Sequence, residues 1–443
     1  MPVFRAFESR NYRLFFGGQA GSLIGMWLQL TAMSWLMYRL TQAAAWVAFL
    51  TFAWQGPGLV LGPIAGAMAD RFDRRRILVV AQVLSVIPAA ALGIFTIAGW
   101  ITPWQVIVFA FFTGVVRSFE IPTRQAFIPD IVSAEDLASA IGMNSALFNG
   151  ARLIGPAIAG AMIPFVGEGW CFIANAVSYL AILAALVAMT LPRPPARTAA
   201  KSSLLADILE GLAYVRRDPA LKALLGGLGF FAVVGMPYSV LLASFASRQL
   251  GGGPHTFSSL QAAVGLGAMV AAFAIAVRSR VAGLERWLVV AGVAFGVLMV
   301  ALSRATSLPM ALLVLVPLGG CFIVQMATTN TLLQTLAPGH LRGRVMSLHT
   351  TLFLGVFPLS GLIWGALADR LGEATVLAAG GVLVVAGALL FGRAVLRDVP
   401  VAVAAVSAAP RARGAPRDEK DAAPAAAPAL EVGDPGPAAV GRN

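Results

Sequence analysis

Charge is what this chain has least of: Asp, Glu, Lys and Arg make up 12% of its 443 residues, against 58% hydrophobic, and the mean hydropathy is +0.82. A water-soluble domain could not cover so much apolar surface, which excludes a soluble enzyme or binding module and leaves an integral membrane protein. Cysteine is nearly absent as well. Cys171 and Cys321 fall in separate apolar segments without metal-ligand spacing, so neither a disulfide nor a metal site is expected. No G-x-x-x-x-G-K-[ST] phosphate loop occurs, so ATP-driven work by this chain is unsupported and no cofactor is expected. Of the three histidines, His255 and His340 lie in loops on opposite sides and His349 lies in an apolar segment. Without paired carboxylates or a serine-base constellation, an intramembrane enzyme is the weaker reading.

What the chain does have is long apolar runs. Twelve segments, approximately 14–38, 46–69, 77–99, 104–124, 139–165, 170–191, 220–247, 257–277, 287–303, 308–332, 345–368 and 375–396, are suited to crossing a hydrocarbon core ~30 Å thick as helices. The basic start, MPVFRAFESRNYRLFF, has no obvious small-residue cleavage site, so a retained first helix is expected rather than a removed signal peptide. With the N-terminus inside, the inner segments carry Arg5, Arg10, Arg13, the arginines of 71–76, Arg124, the basic residues of 193–222 and 278–286, Arg342 and Arg344; the outer ones carry Arg39, Arg248, Arg304 and Arg370. This is the positive-inside pattern, and it predicts both termini in the cytoplasm. The net charge of +12 is thus an orientation signal, and no nucleic-acid partner is implied.

The longest charged interruption divides the membrane part in two. The expected organisation is a six-helix bundle over 1–191, a cytoplasmic linker over 192–219, a second bundle over 220–397 and a disordered tail over 398–443, rich in Ala, Pro and scattered charge. Within the linker, Leu205, Ile208, Leu212 and Val215 recur at helical spacing with charges on other faces, as in a helix lying on the inner membrane surface; a soluble connector helix is the alternative.

Internal repetition refines the fold. GPIAG at 62–66 in the second span is echoed by GPAIAG at 155–160 in the fifth, which crosses in the opposite direction. A second echo joins 131–148 to 335–353, both inner loops entering spans five and eleven. Chance similarity could explain the Gly-Pro pair alone, but the combined positions predict inverted three-helix repeats, a design in which secondary transporters bind substrate near the midplane.

Residues 66–76 read GAMADRFDRRR. The pattern Gly66-x-x-x-Asp70-Arg71-x-x-Arg74-Arg75, with twelve helices in two bundles, resembles the major facilitator superfamily. YRLTQAAAWVAF at 38–49 and PGHLRGRVMSL at 338–348 resemble the bacterial branch that includes the enterobactin exporter. The resemblance implies a conformational latch: Asp70 would face the inner start of helix eleven, where Arg342 and Arg344 stand. A carboxylate there is favourable by ~0.3–1 kcal/mol. Small residues Gly62, Ala65, Gly66 and Ala69 would let helix two approach its neighbour. The chain departs from the family pattern at Asp73, where Gly is usual. A second GALADR at 365–370 falls on the outer side, and the inner-loop role is not carried over to it.

Ionisable groups inside the spans are few. Arg117 and Glu120 stand at i, i+3 on helix four and Arg152 lies within helix five; such groups face a bundle interior or a wet cavity. They are candidates for proton coupling, with a purely structural counter-charge role for Glu120 as the alternative. The family's antiporter signature has Gly four residues after the arginine, whereas position 121 is Ile. Gln19, Gln29, Gln55, Asn144, Asn149, Gln325 and Asn330 could line a central cavity, with Trp35 among its apolar walls, and Gly155, Pro156 and Gly160 form the helix-five Gly-Pro motif. The expected function is a monomeric secondary transporter of the bacterial inner membrane exporting a small organic molecule such as a siderophore, drug or metabolite, with protons as a candidate coupling ion. Uptake of a small metabolite is the alternative.

Overall fold

The computed structural model describes residues 2–190, 204–278, 281–339 and 341–408, and the side chains of residues 2–4, Pro63, Asp70, residues 204–210, Leu354 and residues 407–408 lie outside what it describes. All regular structure among these residues is helical. After a 3-10 turn at Pro2–Glu8, the first bundle comprises α1 (Arg10–Thr41), α2 (Ala44–Arg71), α3 (Arg74–Ile97), α4 (Pro103–Ile131), α5 (Leu137–Val166) and α6 (Glu168–Ala188). A linker helix, α7 (Leu204–Arg217), leads to α8 (Pro219–Val234), α9 (Tyr238–Ser244), α10 (Pro254–Val277), α11 (Leu284–Ser303), α12 (Leu308–Leu336), α13 (Arg342–Thr351), α14 (Phe357–Leu371) and α15 (Glu373–Ala408). Among the described residues ten spans are long and apolar enough to cross a membrane by length and composition, one of them the continuous stretch Pro219–Gln249 formed by α8, α9 and a π-helical turn. The two remaining crossings are α1 and the α13–α14 unit. Polar content keeps α1 below that threshold, with Gln19, Ser22, Gln29 and Ser34 buried in it, whereas the second unit is divided into α13 of 10 residues and α14 of 15, each too short by itself.

The bundles repeat one pairing scheme. In the first, α1 packs on α5 and α6, α2 on α4, and α3 on α6; in the second, α8 packs on α15, α10 on α12, and α11 on α15. The repeat extends to single residues. A methyl group at Gly114 of α4 would lie 2.5 Å from the Trp54 carbonyl oxygen of α2, and one at Gly319 of α12 would lie 2.2 Å from the Val264 carbonyl oxygen of α10. Only glycine allows backbones so close, and small residues serve this purpose where no hydrophobic force drives helices together in lipid. Arg39 at the end of α1 pairs with Glu168 at the start of α6 at 2.8 Å, and Arg248 after α9 pairs with Glu373 at the start of α15 at 3.1 Å. Each glutamate follows a glycine with positive φ, Gly167 at 82° and Gly372 at 84°, a conformation open to glycine at little cost.

Three expectations need correction. The seventh crossing is not one regular helix: it breaks at Gly235–Pro237 between α8 and α9. Pro237 has no N–H for the Val233 carbonyl, which accepts instead from Trp364 Nε1 of α14 at 2.6 Å, while Ser360 Oγ donates to the Ala232 carbonyl at 3.1 Å. The tail is not disordered from 398: α15 continues to Ala408, because Val399 and Val403 pack in the same apolar cluster as Val215, Leu221 and Leu336. Residues 409–443 lie outside the described residues. Finally, Gly62 and Gly66 are not at a close contact in this conformation, for nothing lies within 4 Å of where their side chains would begin. The described part of α7 packs on α13 and α8, with Gly211 against Arg344.

The paired glycines give a stability test. Gly114→Leu and Gly319→Leu should each overpack a helix crossing and destabilise the protein by about 1–3 kcal/mol. Thermal unfolding in detergent is expected to show both melting points well below that of Gly62→Leu, which enters open space.

Candidate pathway between the two bundles

The bundles meet along α2 with α14 and along α5 with α10. At the outer rim both contacts are tight. Asp369 near the end of α14 accepts hydrogen bonds from the first two amides of α2, Ala44 N to Oδ1 at 2.8 Å and Ala45 N to Oδ2 at 2.9 Å. The amides at a helix start have no partner within the helix, and a carboxylate there satisfies them and their partial positive charge together. Arg248 stands 3.7 Å from Asp369 and also donates to the Gln42 carbonyl on the first bundle. Gly365, one turn before Asp369, lies against Ala44, Ala45 and Ala48. On the other pair, Gly160 admits Ser258 of α10 and Gly265 admits the backbone of Arg152 and Leu153. Gly155 gives the same freedom to Trp27 and Leu28 of α1, with Pro156 buried beside it.

The inner halves differ. Gly62 and Gly66 on α2, Gly142 and Gly150 on α5, and Gly343 on α13 all have open space where a side chain would start. Thr350, Thr351 and Ser145 are exposed, and Asn144 and Asn149 are partly so. Small and polar residues exposed on facing helices mark a water-accessible cleft more than a lipid surface. Among the described residues the side that the basic loops predict to be outer is closed and the predicted inner side is open.

The predicted latch residues are therefore not assembled as one cluster. Arg74 donates to the Ala69 carbonyl at 3.1 Å and the Ala126 carbonyl at 2.6 Å and pairs with Asp130 at 3.0 Å, tying the end of α2 to α4. Arg75 donates to the carbonyls of Leu186 and Val187, both at 2.8 Å, at the end of α6. Arg71 and Arg342 are exposed, and Arg344 packs against the linker helix. Asp70 closes helix α2, and its side chain lies outside the described residues. Asp73, the departure from the family pattern, caps α3 by accepting from the amides of Arg75 at 2.9 Å and Arg76 at 3.3 Å.

At mid-depth, Glu120 pairs with Arg124 at 2.8 Å rather than with Arg117 or Arg152. The Arg117 guanidinium lies 5.2 Å from the centre of the Trp54 ring and contacts the sulfur of Met26. Arg152 lies between two aromatic rings, 5.7 Å from Trp27 and 5.1 Å from Phe322. Several cavity candidates turn out to join helices: Gln29 accepts from Asn175 at 2.6 Å, and Gln325 donates to the Leu288 carbonyl of α11 at 3.0 Å. Gln19 is buried in α1, Trp35 stacks on Phe257 of α10 at 6.0 Å, and Asn330 accepts from Gln334 at 2.6 Å. Gln55 remains partly exposed on α2. The sequence reading missed Asp369, Arg248, Glu373 and the Thr31–Gln261 hydrogen bond that joins α1 to α10 at 3.3 Å. The signal for Asp369 was present in the second GALADR, which an inverted repeat places at the opposite rim from Asp70.

Two pseudo-equivalent bundles around a cleft that is sealed on one side define a multi-pass secondary transporter of the major facilitator fold. The chain belongs to the transmembrane secretion effector family of that superfamily, whose model matches residues 3–416. It is 28% identical to the multidrug efflux pump Tap of Mycolicibacterium fortuitum over 367 residues, 80% of this chain and 88% of that one. It is 23% identical to the staphyloferrin A transporter of Staphylococcus aureus over 81% of this chain and 90% of that one. Among solved structures it is similar in fold to the nucleoside transporter NupG, with a TM-score of 0.69 at 12% identity over 86% of this chain and 99% of that one. A bacterial homologue of the lysosomal transporter Spinster, solved inward-facing and unoccupied, has a TM-score of 0.63 at 16% identity over 90% of this chain and 97% of that one.

The outer latch can be tested by labelling. With Cys171 and Cys321 replaced by Ser and a single cysteine at Ser258, Asp369→Asn removes the charge that holds α2 and should cost the closed outer side ~1 kcal/mol, about a fivefold shift in the gate ratio. An impermeant maleimide added outside should label that cysteine about fivefold faster; an unchanged rate would assign Asp369 to helix capping alone.

Proposed function

We propose that this protein exports a small organic molecule across the bacterial inner membrane by alternating access, with both termini in the cytoplasm and protons as the exchanged ion. One observation carries the reading. The two GA-x-A-D-R segments, 66–71 and 365–370, sit at opposite ends of the neighbouring helices α2 and α14, and the outer one grips the start of α2 while the inner glycines stand free. Rocking the bundles would release Asp369 and bring Gly66 and Asp70 onto the start of α13, so that one side closes as the other opens. The inner Gly-Pro segment would then take up the packed state that its partner at Gly155–Gly160 already has.

Export is favoured over uptake by the relatives, which include the efflux pump Tap and the macrolide efflux protein A of Streptococcus pyogenes, 25% identical over 59% of this chain. The basic inner loops support the orientation. We assign coupling to Glu120, which pairs with Arg124 at 2.8 Å and stands one helical turn from Arg117, so loss of its charge would leave both arginines without that partner. Both groups are on α4, so the event alters one face of the first bundle without requiring a partner from the second.

Inverted membrane vesicles with an acid interior test direction and coupling together. A proton-driven exporter accumulates substrate inside them, whereas an uptake symporter accumulates it only in right-side-out vesicles. Glu120→Gln, which has the shape of the protonated acid, should abolish the dependence on the gradient while substrate exchange persists. Normal proton-driven accumulation by that variant would make Glu120 a structural counter-charge.

A further inference from the structure

Arg152 is placed deep between the bundles and keeps part of its surface accessible. Among the described residues no carboxylate pairs with it; its neighbours are the rings of Trp27 and Phe322. A guanidinium at that depth carries a large desolvation cost that ring faces offset only in part. Beside it, the Trp27 indole N–H is buried and has no acceptor among the described residues. Two donor groups thus lie close together with no acceptor among the described residues.

Rocking of the bundles cannot bring a carboxylate to Arg152. Glu120, the one acidic residue at mid-depth, is on α4 of the same bundle as Arg152 and pairs with Arg124. In the second bundle Asp218 and Glu285 stand at helix ends on one side and Asp369 and Glu373 at helix ends on the other, while Asp398, in the last third of α15, pairs with its neighbour Arg397 at 2.8 Å. A counter-ion would have to come from the solution, and the residues around Arg152 describe it. Trp27 and Arg152 come from α1 and α5 of the first bundle and Phe322 from α12 of the second, so a bound molecule would touch both moving bodies. Flat apolar walls beside donors suit an amphipathic solute with an acceptor-rich anionic end.

We propose that Arg152, with Trp27 and Phe322, forms an anion-selective subsite that binds the carboxylate of an amphipathic organic anion, setting the charge class of the transported molecule. This rests on the transporter reading above, but its test needs neither transport direction nor coupling. Thermal unfolding of the detergent-purified full chain would be followed with 1-naphthoate, its neutral amide, 1-naphthylmethylamine and chloride as probes. The expected result is stabilisation by 1-naphthoate with an affinity at least about tenfold above that for the amide, in line with an ionic hydrogen bond. Arg152→Gln should remove the difference and Arg152→Lys, which keeps the charge, should retain part of it; should Arg152→Gln not fold, the Lys variant and the probe series on the natural chain decide. Preference for the amine, equal binding of acid and amide, equal stabilisation by chloride alone, or unchanged naphthoate binding in Arg152→Gln would each overturn the subsite. If naphthoate binds as expected yet vesicles show no proton-driven accumulation of it, the subsite stands and the export reading falls.

Discussion

A helix that begins at a membrane surface presents backbone amides that its own turns cannot satisfy, and in an apolar setting those amides must find an acceptor. For α2 the acceptor belongs to the other half of the molecule. Asp369 takes the amides of Ala44 and Ala45, and through that contact the end of α14 becomes part of the start of α2. The outer seal depends on this geometry. Gly365 permits the approach, Arg248 balances the carboxylate and reaches across to the Gln42 carbonyl, and Glu373 holds Arg248 in place.

The charges around the seal show how one inherited brace can serve two purposes. Arg39 with Glu168 and Arg248 with Glu373 join the same pair of helices in each bundle. Arg39 meets only its own bundle's glutamate in this pair, and it fastens α1 to α6. Arg248 makes that bond and in addition contacts Asp369 and the first bundle. Two of the four outer arginines, Arg39 and Arg248, are thus explained by local pairing, the second of them at the gate.

Much of the architecture was legible in the sequence because the bilayer imposes it. Run lengths and the echo of GPIAG at 62–66 by GPAIAG at 155–160 are direct consequences of hydrocarbon thickness and inverted repetition. The break at Pro237 was hidden by uniformly apolar residues on both sides, and its repair by Ser360 and Trp364 depends on a helix more than a hundred residues away. The helical extension past Asp398 was hidden for a related reason: an Ala- and Val-rich segment reads as low complexity until Val399 and Val403 meet a specific apolar cluster. Among site residues, type alone could not separate Gln29 and Gln325, which join helices, from groups facing the cleft. The role of Asp369 needed the knowledge that α14 ends where α2 begins, which periodicity does not carry.

The central claim is that α2 and the α13–α14 unit trade one end contact for the other. Spin-label distances measured on the same sample test it directly, with one pair outside at Trp100→Cys and Thr306→Cys and another inside at Phe72→Cys and Arg342→Cys, in a chain whose native cysteines are replaced by Ser. Weakening the outer latch with Asp369→Asn should lengthen the outer distance and shorten the inner one in the same fraction of molecules. An outer distance that lengthens while the inner distribution stays unchanged would contradict the account, because the outer contact would then be a local clasp with no reciprocal partner.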